Sequence, residues 1–193
     1  FLHIPKTSGS STNRLLERVY GRHNFVDHAE NVLPRLMDRS RPTQAVDCVT
    51  AHVPLCRWSL FRGTDAYPRV TVLRDPWARL VSHVNWIARF NHGEPMPTGK
   101  TAPALARVVA VLGQTDFADR ASLMRLFEAA SAEEEFTAFD NMQVRMLITG
   151  HPRATFKRLE PGDAAGAMKN LLQFRAYGFC EDRVGFEAAL LAV

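Results

Sequence analysis

The sequence has little cysteine, no N-x-[ST] sequon, no long apolar run, no block of like charge and no low-complexity segment. Each absence excludes something. Three cysteines (Cys48, Cys56 and Cys180) make an odd count without metal-type spacing. A disulfide framework is therefore not expected, and a reducing compartment is. No apolar stretch approaches the ~20 residues that a membrane span needs. Lys plus Arg number 24 against 20 Asp plus Glu, a net +4 carried by scattered arginines. That balance suits an anionic ligand but lacks the basic, aromatic-interleaved stripe of a nucleic-acid binder. The 193 residues, 46% hydrophobic, suffice for one domain with a real core and room for a small appended lobe. The chain opens at Phe1, directly in a strand pattern, and so reads as an excerpt. A cytoplasmic location is the expectation; a signal peptide or a membrane-anchored, Golgi-type parent stays open.

What the sequence does have is concentrated at its start. Phe1 to Ile4 reads as the end of a buried strand, and Pro5 stops it for want of an N–H. Lys6-Thr7-Ser8-Gly9-Ser10-Ser11 is a loop of small hydroxylated residues, after which Leu15, Leu16 and Val19 begin an amphipathic helix that Gly21 can end. A strand feeding such a loop into a helix N-terminus suits an anion, which meets backbone N–H groups and the positive end of the helix dipole. The same pattern also fits an ordinary capped turn. It is not a Walker A loop, where the lysine follows the glycines; here Lys6 precedes the loop's one glycine.

Further along, Asp27 to Arg39 has helical spacing, Ala45 to Ala51 reads as a short strand ending at His52, and Leu55 to Arg62 fits no pattern. Val70 to Leu73 is the clearest strand. Asp75 and Pro76 then open a helix with Trp77, Leu80, Val81, Val84, Ile87 and Ala88 along one face. Asn91 to Pro103 is a loop. Helices are expected at Ala104–Leu112, Ser122–Ala130, Asn141–Ile148, Ala164–Leu172 and Glu181–Leu191, with a last strand at Tyr177–Cys180 and an acidic, solvated stretch at Ala132–Glu135. Strands alternating with helices predict an α/β fold with a mostly parallel central sheet flanked by helices. Three groups then fall at the carboxyl ends of strands, where such sheets bind ligands: the Lys6 loop, His52 and Arg74-Asp75-Pro76.

Here the residues reach a family. His3-Ile4-Pro5-Lys6-Thr7-Ser8-Gly9-Ser10-Ser11 resembles the 5′-phosphosulfate loop of the carbohydrate sulfotransferases that use 3′-phosphoadenosine 5′-phosphosulfate. Val72-Leu73-Arg74-Asp75-Pro76, with Ser82 eight residues after Arg74, resembles their 3′-phosphate motif. The resemblance extends to the heparan sulfate 2-O- and 6-O-sulfotransferases and to bacterial members, and the two motifs stand in family order. The stretches around Asn141–Leu147 and Tyr177–Leu190 are more loosely similar to bacterial members.

The resemblance implies a P-loop-like three-layer sandwich over residues 1–193, a single sulfotransferase domain that needs no metal. It implies that Lys6 contacts the 5′-phosphate and the oxygen bridging phosphorus to sulfur, where charge develops as the sulfuryl group leaves. Thr7, Ser8, Gly9, Ser10 and Ser11 would hold the 5′-phosphate, and Arg74 and Ser82 the 3′-phosphate. His52 matches the family's general base for a sugar hydroxyl, although a lone histidine is more often structural. His3 is read as packing or orienting the loop, His83 as packing, Cys180 as core, and Asn141, Gln143 and Arg145 as a solvated face or ligand contacts. The expected partner is a hydroxylated acceptor, a carbohydrate or glycosylated metabolite. Arg57, Trp58, Arg62, Arg89, His92 and Lys100 would suit an acidic one.

Two departures stand out. Related loops often carry two glycines where this one has Ser8-Gly9, and the heparan sulfate enzymes cover the nucleotide with a later loop that has no counterpart before Val193. The rival readings are a P-loop-like nucleotide kinase, disfavoured by the displaced lysine, and a non-catalytic nucleotide- or sulfated-glycan-binding module on the same fold.

Overall fold

The structure is a computed structural model that describes residues 1–32, 46–58, 67–98, 102–133, 136–149 and 158–193. Its β-branched run Val70–Leu73 forms strand β3, which pairs in parallel with β4 (Ala176–Phe179), Val70 opposite Ala176 and Leu73 opposite Phe179. We number the preceding parallel pair β1 (Phe25–Val26) and β2 (Cys48–Val49). The first residues of the chain lie between the two pairs. Leu2 bridges in parallel to Ala51 on one side and to Thr71 on the other. The Leu2 N–H donates to the Val70 carbonyl at 2.9 Å, and the His3 N–H donates to the Ala51 carbonyl at 3.0 Å. The lateral order is therefore β1, β2, the Leu2 segment, β3, β4, all parallel. The described strands are short, two to four residues each.

Two compact units make up the chain: Phe1–Asp75 with Gln143–Val193, and Pro76–Met142. In the first, α1 (Gly9–Tyr20) starts two helical turns earlier than its apolar residues alone suggest, and Gly21 ends it at a φ of 77°. A single turn, α2 (Leu55–Trp58), follows β2; residues 59–62 of the unassigned stretch lie outside the described residues. The helix expected from Asp27 does not form over its described part, which is a 3₁₀ turn at Ala29–Asn31. His28 before it is left-handed, at φ 48° and ψ 51°, which no right-handed helix accommodates. The core of this unit gathers Phe1, Leu16, Cys48, Val70, Val72, Ala176 and Phe186. Leu16 comes from α1 and Phe186 from the last helix, so both pack on the parallel strands.

The second unit holds α3 (Pro76–Ala88), a 3₁₀ turn at Arg89–His92, α4 (Ala102–Leu112) and α5 (Arg120–Ala132). Asp119 caps α5, accepting from the N–H groups of Ala121 and Ser122 at 3.0 Å each. Ile87, Leu105, Val108, Leu112 and Leu126 are its core. The expected face of α3 holds at Ile87, with Val84 and Ala88 packed on the same core, but not at Trp77 and Val81. Trp77 is 70% exposed and Val81 41%, while Arg79, His83 and Ile87 are the buried residues. The buried line is Arg79, His83, Ile87 at i, i+4, i+8. It tolerates a guanidinium because Arg79 donates from Nη2 to the Ala138 carbonyl at 2.7 Å and from Nη1 to His83 Nδ1 at 3.2 Å. Burial lowers the pKa of Arg79 from its ordinary value. His83 meets Trp86 and Phe139 edge to face.

Returning to the first unit, α6 (Met142–Leu147) and α7 (Pro161–Leu171) lead to β4. Pro161 and a reciprocal Glu160–Asp163 capping box start α7 before its apolar positions begin. A 3₁₀ turn at Cys180–Asp182 passes into α8 (Arg183–Leu191). Helix α8 lies close on β4 at one glycine: a Cβ on Gly178 would stand 2.5 Å from Phe186 Cβ. Gly178→Ala is expected to push α8 off the sheet and destabilise the chain by about 1–3 kcal/mol, read as a lower thermal unfolding midpoint. An unchanged midpoint would show that the contact yields freely.

Candidate anion and base site

The site is built where the Leu2 segment ends. Lys6 and Ser8 both take left-handed backbone conformations, at φ 69° and 61°. Non-glycine residues pay about 1–2 kcal/mol each for this, and alternating backbone of this kind turns successive N–H groups into one concavity. The loop is held from inside. Buried Thr7 donates its hydroxyl to the Ile4 carbonyl at 2.8 Å. This corrects the expectation for its side chain, whose proton is a strut of the loop and not a donor to a ligand. Ser8 gives no side-chain cap to α1. Burial raises the pKa of the Cys180 thiol, with the Ser8 hydroxyl opposing. The Ser8 carbonyl takes the N–H groups of Ser11 and Thr12, both at 3.1 Å. Helix geometry leaves the N–H groups of Gly9 and Ser10 without intrahelical acceptors. Ser10 is exposed and Ser11 half-buried, so these hydroxyls lie at the surface of the loop.

Arg74 reaches the same loop from the end of β3, donating from Nη1 to the Lys6 carbonyl at 3.3 Å. Its backbone is fixed by a residue the sequence left between two readings. Gln143, on α6, accepts from the Arg74 N–H at 2.8 Å and donates to the Arg74 carbonyl at 2.9 Å. Gln143 is thus a clamp on the strand end, and Arg145 beside it is buried, so neither lies on a solvated face. Asn141 is exposed, at φ 46°. The Asp75 N–H donates to Glu181 at 3.2 Å, tying the strand end to the turn after β4. Cys180 is half-buried at the core margin.

His52 stands across from the loop, where β2 runs out. Its Nδ1 lies 2.8 Å from the His3 carbonyl, which can only accept, so Nδ1 carries the proton and Nε2 the lone pair. The His52 N–H donates to Glu30 Oε2 at 3.0 Å. Burial lowers the His52 pKa, with Glu30 and the His3 bond opposing, so neutral imidazole prevails near neutrality. His3 is buried with its ring 3.8 Å from that of His52, and burial brings its pKa down to about 3, helped by the neighbouring histidines. His3 fits the packing and orienting role given to it.

Three residues in this cluster escaped the sequence reading. The His28 ring lies 5.2 Å from that of His52, tilted by 40°, and donates from Nδ1 to Glu30 Oε1 at 2.9 Å. Asp27 Oδ1 accepts from Asn13 Nδ2 at 2.5 Å, the His28 N–H at 2.7 Å and the Thr50 hydroxyl at 2.8 Å. It ties α1, the 27–30 turn and the end of β2 together. The signal for them was weak, because Asp27, His28 and Glu30 fall in a stretch that reads as an ordinary amphipathic helix.

Ser82 is half-buried on α3, within the second unit and next to buried His83. Of the proposed acceptor cleft, Arg62 and Lys100 lie outside the described residues; Arg57 and Trp58 belong to the first unit, Arg89 and His92 to the second. A cavity of about 70 Å³ lies at the other end of the strands, lined by Phe1, Tyr20, Cys48, Val70 and Leu190. Its walls are mostly apolar, with Asp47 and Arg69 among them, and include neither the Lys6 loop nor Arg74. No family model matches the chain, and no curated protein and no solved structure shows significant similarity to it.

Gly9 joins the loop to the histidines. A Cβ there would lie 1.6 Å from His3 Nε2 and 1.9 Å from its Cδ2. Gly9→Ala is expected to displace the His3 ring and lower the melting temperature, with anion affinity falling at least tenfold in a phosphate titration. Wild-type values in both measurements would show that the ring moves aside without disturbing the loop.

Proposed function

We propose that the chain is a sulfotransferase that moves the sulfuryl group of 3′-phosphoadenosine 5′-phosphosulfate to a hydroxyl of a carbohydrate or glycosylated metabolite. The observation that carries this reading is the meeting of two parts. The Lys6 loop, with Arg74 bonded to the Lys6 carbonyl, and His52, held through its Nδ1–H by the His3 carbonyl, both attach to the Leu2 segment. The donor set fits an anionic nucleotide, with an ammonium, a guanidinium, surface hydroxyls and the unpaired N–H groups at the start of α1. The parallel lateral order, with the loop leaving its middle member, supports the P-loop-like three-layer sandwich that the family resemblance implies.

In this reading Lys6, Gly9, Ser10 and Ser11 hold the 5′-phosphate by charge and by N–H and hydroxyl donors. Thr7 and Ser8 shape the loop and offer their backbone N–H groups. Arg74 adds a second cation and would answer to the 3′-phosphate. His52 Nε2 takes the acceptor's proton as its oxygen attacks sulfur. The bond from sulfur to the bridging oxygen breaks in line, and its electron pair goes to the phosphate, where Lys6 meets the developing charge. His3 is a positioning residue, because its carbonyl sets the His52 tautomer.

Calorimetric titration with 3′-phosphoadenosine 5′-phosphate, beside 5′-AMP and ATP and without added metal, tests the reading. Binding should require the 3′-phosphate and weaken about 10–100-fold in Arg74→Ala, the loss of one charge-assisted contact. His52→Ala should keep that affinity and lose turnover of glycan acceptors by about 10²–10⁴. Failure to bind the 3′-phosphorylated nucleotide would sink the reading. A preference for ATP with Mg²⁺ would mark a kinase, and turnover-independent binding untouched by His52→Ala would mark a binding module.

A further inference from the structure

The turn that carries His28 and Glu30 brings them to His52 for a reason that sulfuryl transfer does not use. One ring nitrogen from each histidine and one carboxylate oxygen of Glu30 all lie within 4.8 Å of one another. We propose that His28, Glu30 and His52 bind a divalent transition-metal ion of the zinc class.

The donor set is two imidazoles and a carboxylate, which suits Zn²⁺ with water in the fourth position and disfavours Mg²⁺ or Ca²⁺, which prefer all-oxygen shells. The surrounding bonds are those a ligand set needs. His52 donates its Nδ1–H to the His3 carbonyl, so Nε2 is the nitrogen presented to an ion. Ligating histidines commonly donate their other ring N–H in this way. Glu30 uses Oε2 for the His52 N–H and keeps Oε1 for the ion. Asp27 supplies no ligand, since its Oδ1 already accepts three hydrogen bonds. It adds a second negative charge 3.8 Å from His28 Nε2. Solvent reaches the cluster, the side chains of His28 and Glu30 being 46% and 25% exposed. Closing to tetrahedral spacing of about 3.4 Å between donors asks for a modest swing of His28, the most exposed of the three. On binding, the His28–Glu30 hydrogen bond is exchanged for two bonds to the ion, and the His28 ring proton passes from Nδ1 to Nε2, on the side of Asp27.

The site does not depend on the sulfotransferase reading, but it has a consequence for it. An ion on His52 Nε2 occupies the lone pair that would take the acceptor's proton, so metal-loaded protein would be catalytically silent until a chelator removes the ion.

Co²⁺ titration of the whole chain, followed by visible absorption and then displaced by Zn²⁺, is the test. One ion per chain with a tetrahedral or five-coordinate d–d band is expected. Affinity should fall at least tenfold in His28→Ala and in Glu30→Gln and stay unchanged in His23→Ala. In wild-type protein, Co²⁺ should perturb the imidazole NMR signals of His28 and His52 first, which locates the ion even where a variant does not fold. Absence of the band, undiminished affinity in folded His28→Ala, or perturbation confined to His23, His92 or His151 would overturn the proposal. Titration with 3′-phosphoadenosine 5′-phosphate in metal-free buffer reports on the other reading separately, so either can fail alone.

Discussion

The main-chain hydrogen bonds on both sides of Leu2 are the constraint on which the first unit depends. Pairs of two or four residues are marginal alone, because each leaves unpaired N–H and C=O groups along its edges. The Leu2 segment fills the gap between them, giving its N–H to Val70 and accepting the Thr71 hydroxyl at its carbonyl at 2.8 Å. It makes one parallel array of two fragments. The same four residues deliver the Lys6 loop at their end and the His3 carbonyl to His52. Packing, the Lys6 loop and the hydrogen bond that orients His52 therefore share one short stretch of backbone.

Around it the polar groups are arranged to offset their own burial. Thr7, Thr50 and Thr71 are wholly buried, and each sends its hydroxyl to an acceptor: the Ile4 carbonyl, Asp27 and the Leu2 carbonyl. Such groups would be costly if left unpaired. His3 Nδ1 and Asn13 Oδ1 are the exceptions, buried with no partner among the described residues. Both sit at the histidine cluster, where strain and imperfect satisfaction are commonly stored.

Much of this was legible in the sequence, and the limits have physical causes. Strand β3 and the Asp-Pro start of α3 showed because they rest on local rules, β-branching and proline at the first helical position. The Lys6 loop was legible as a strand-to-helix turn for the same reason. In the buried line of α3, Ile87 was legible and Arg79 and His83 were not. A hydrophobic count favours Trp77 and Val81 over Arg79 and His83, and only tertiary partners such as the Ala138 carbonyl decide otherwise. Gln143 and Glu30 were invisible as clamps, because their partners Arg74 and His52 lie 69 and 22 positions away. Over its described part the helix expected from Asp27 gives way to contacts of Asp27 with Asn13 and Thr50, of Glu30 with the His52 N–H, and of His28 with both neighbours in its own turn.

The near-touching of Gly9 and the His3 ring binds two positions of the sequence into one. Any side chain at position 9 needs the space the imidazole occupies, and a small residue at position 3 would empty a buried volume that nothing else fills. The two sites are therefore not independent letters. In any lineage carrying this loop, change at one should travel with change at the other, and a glycine at 9 beside a ring at 3 is the pairing to look for.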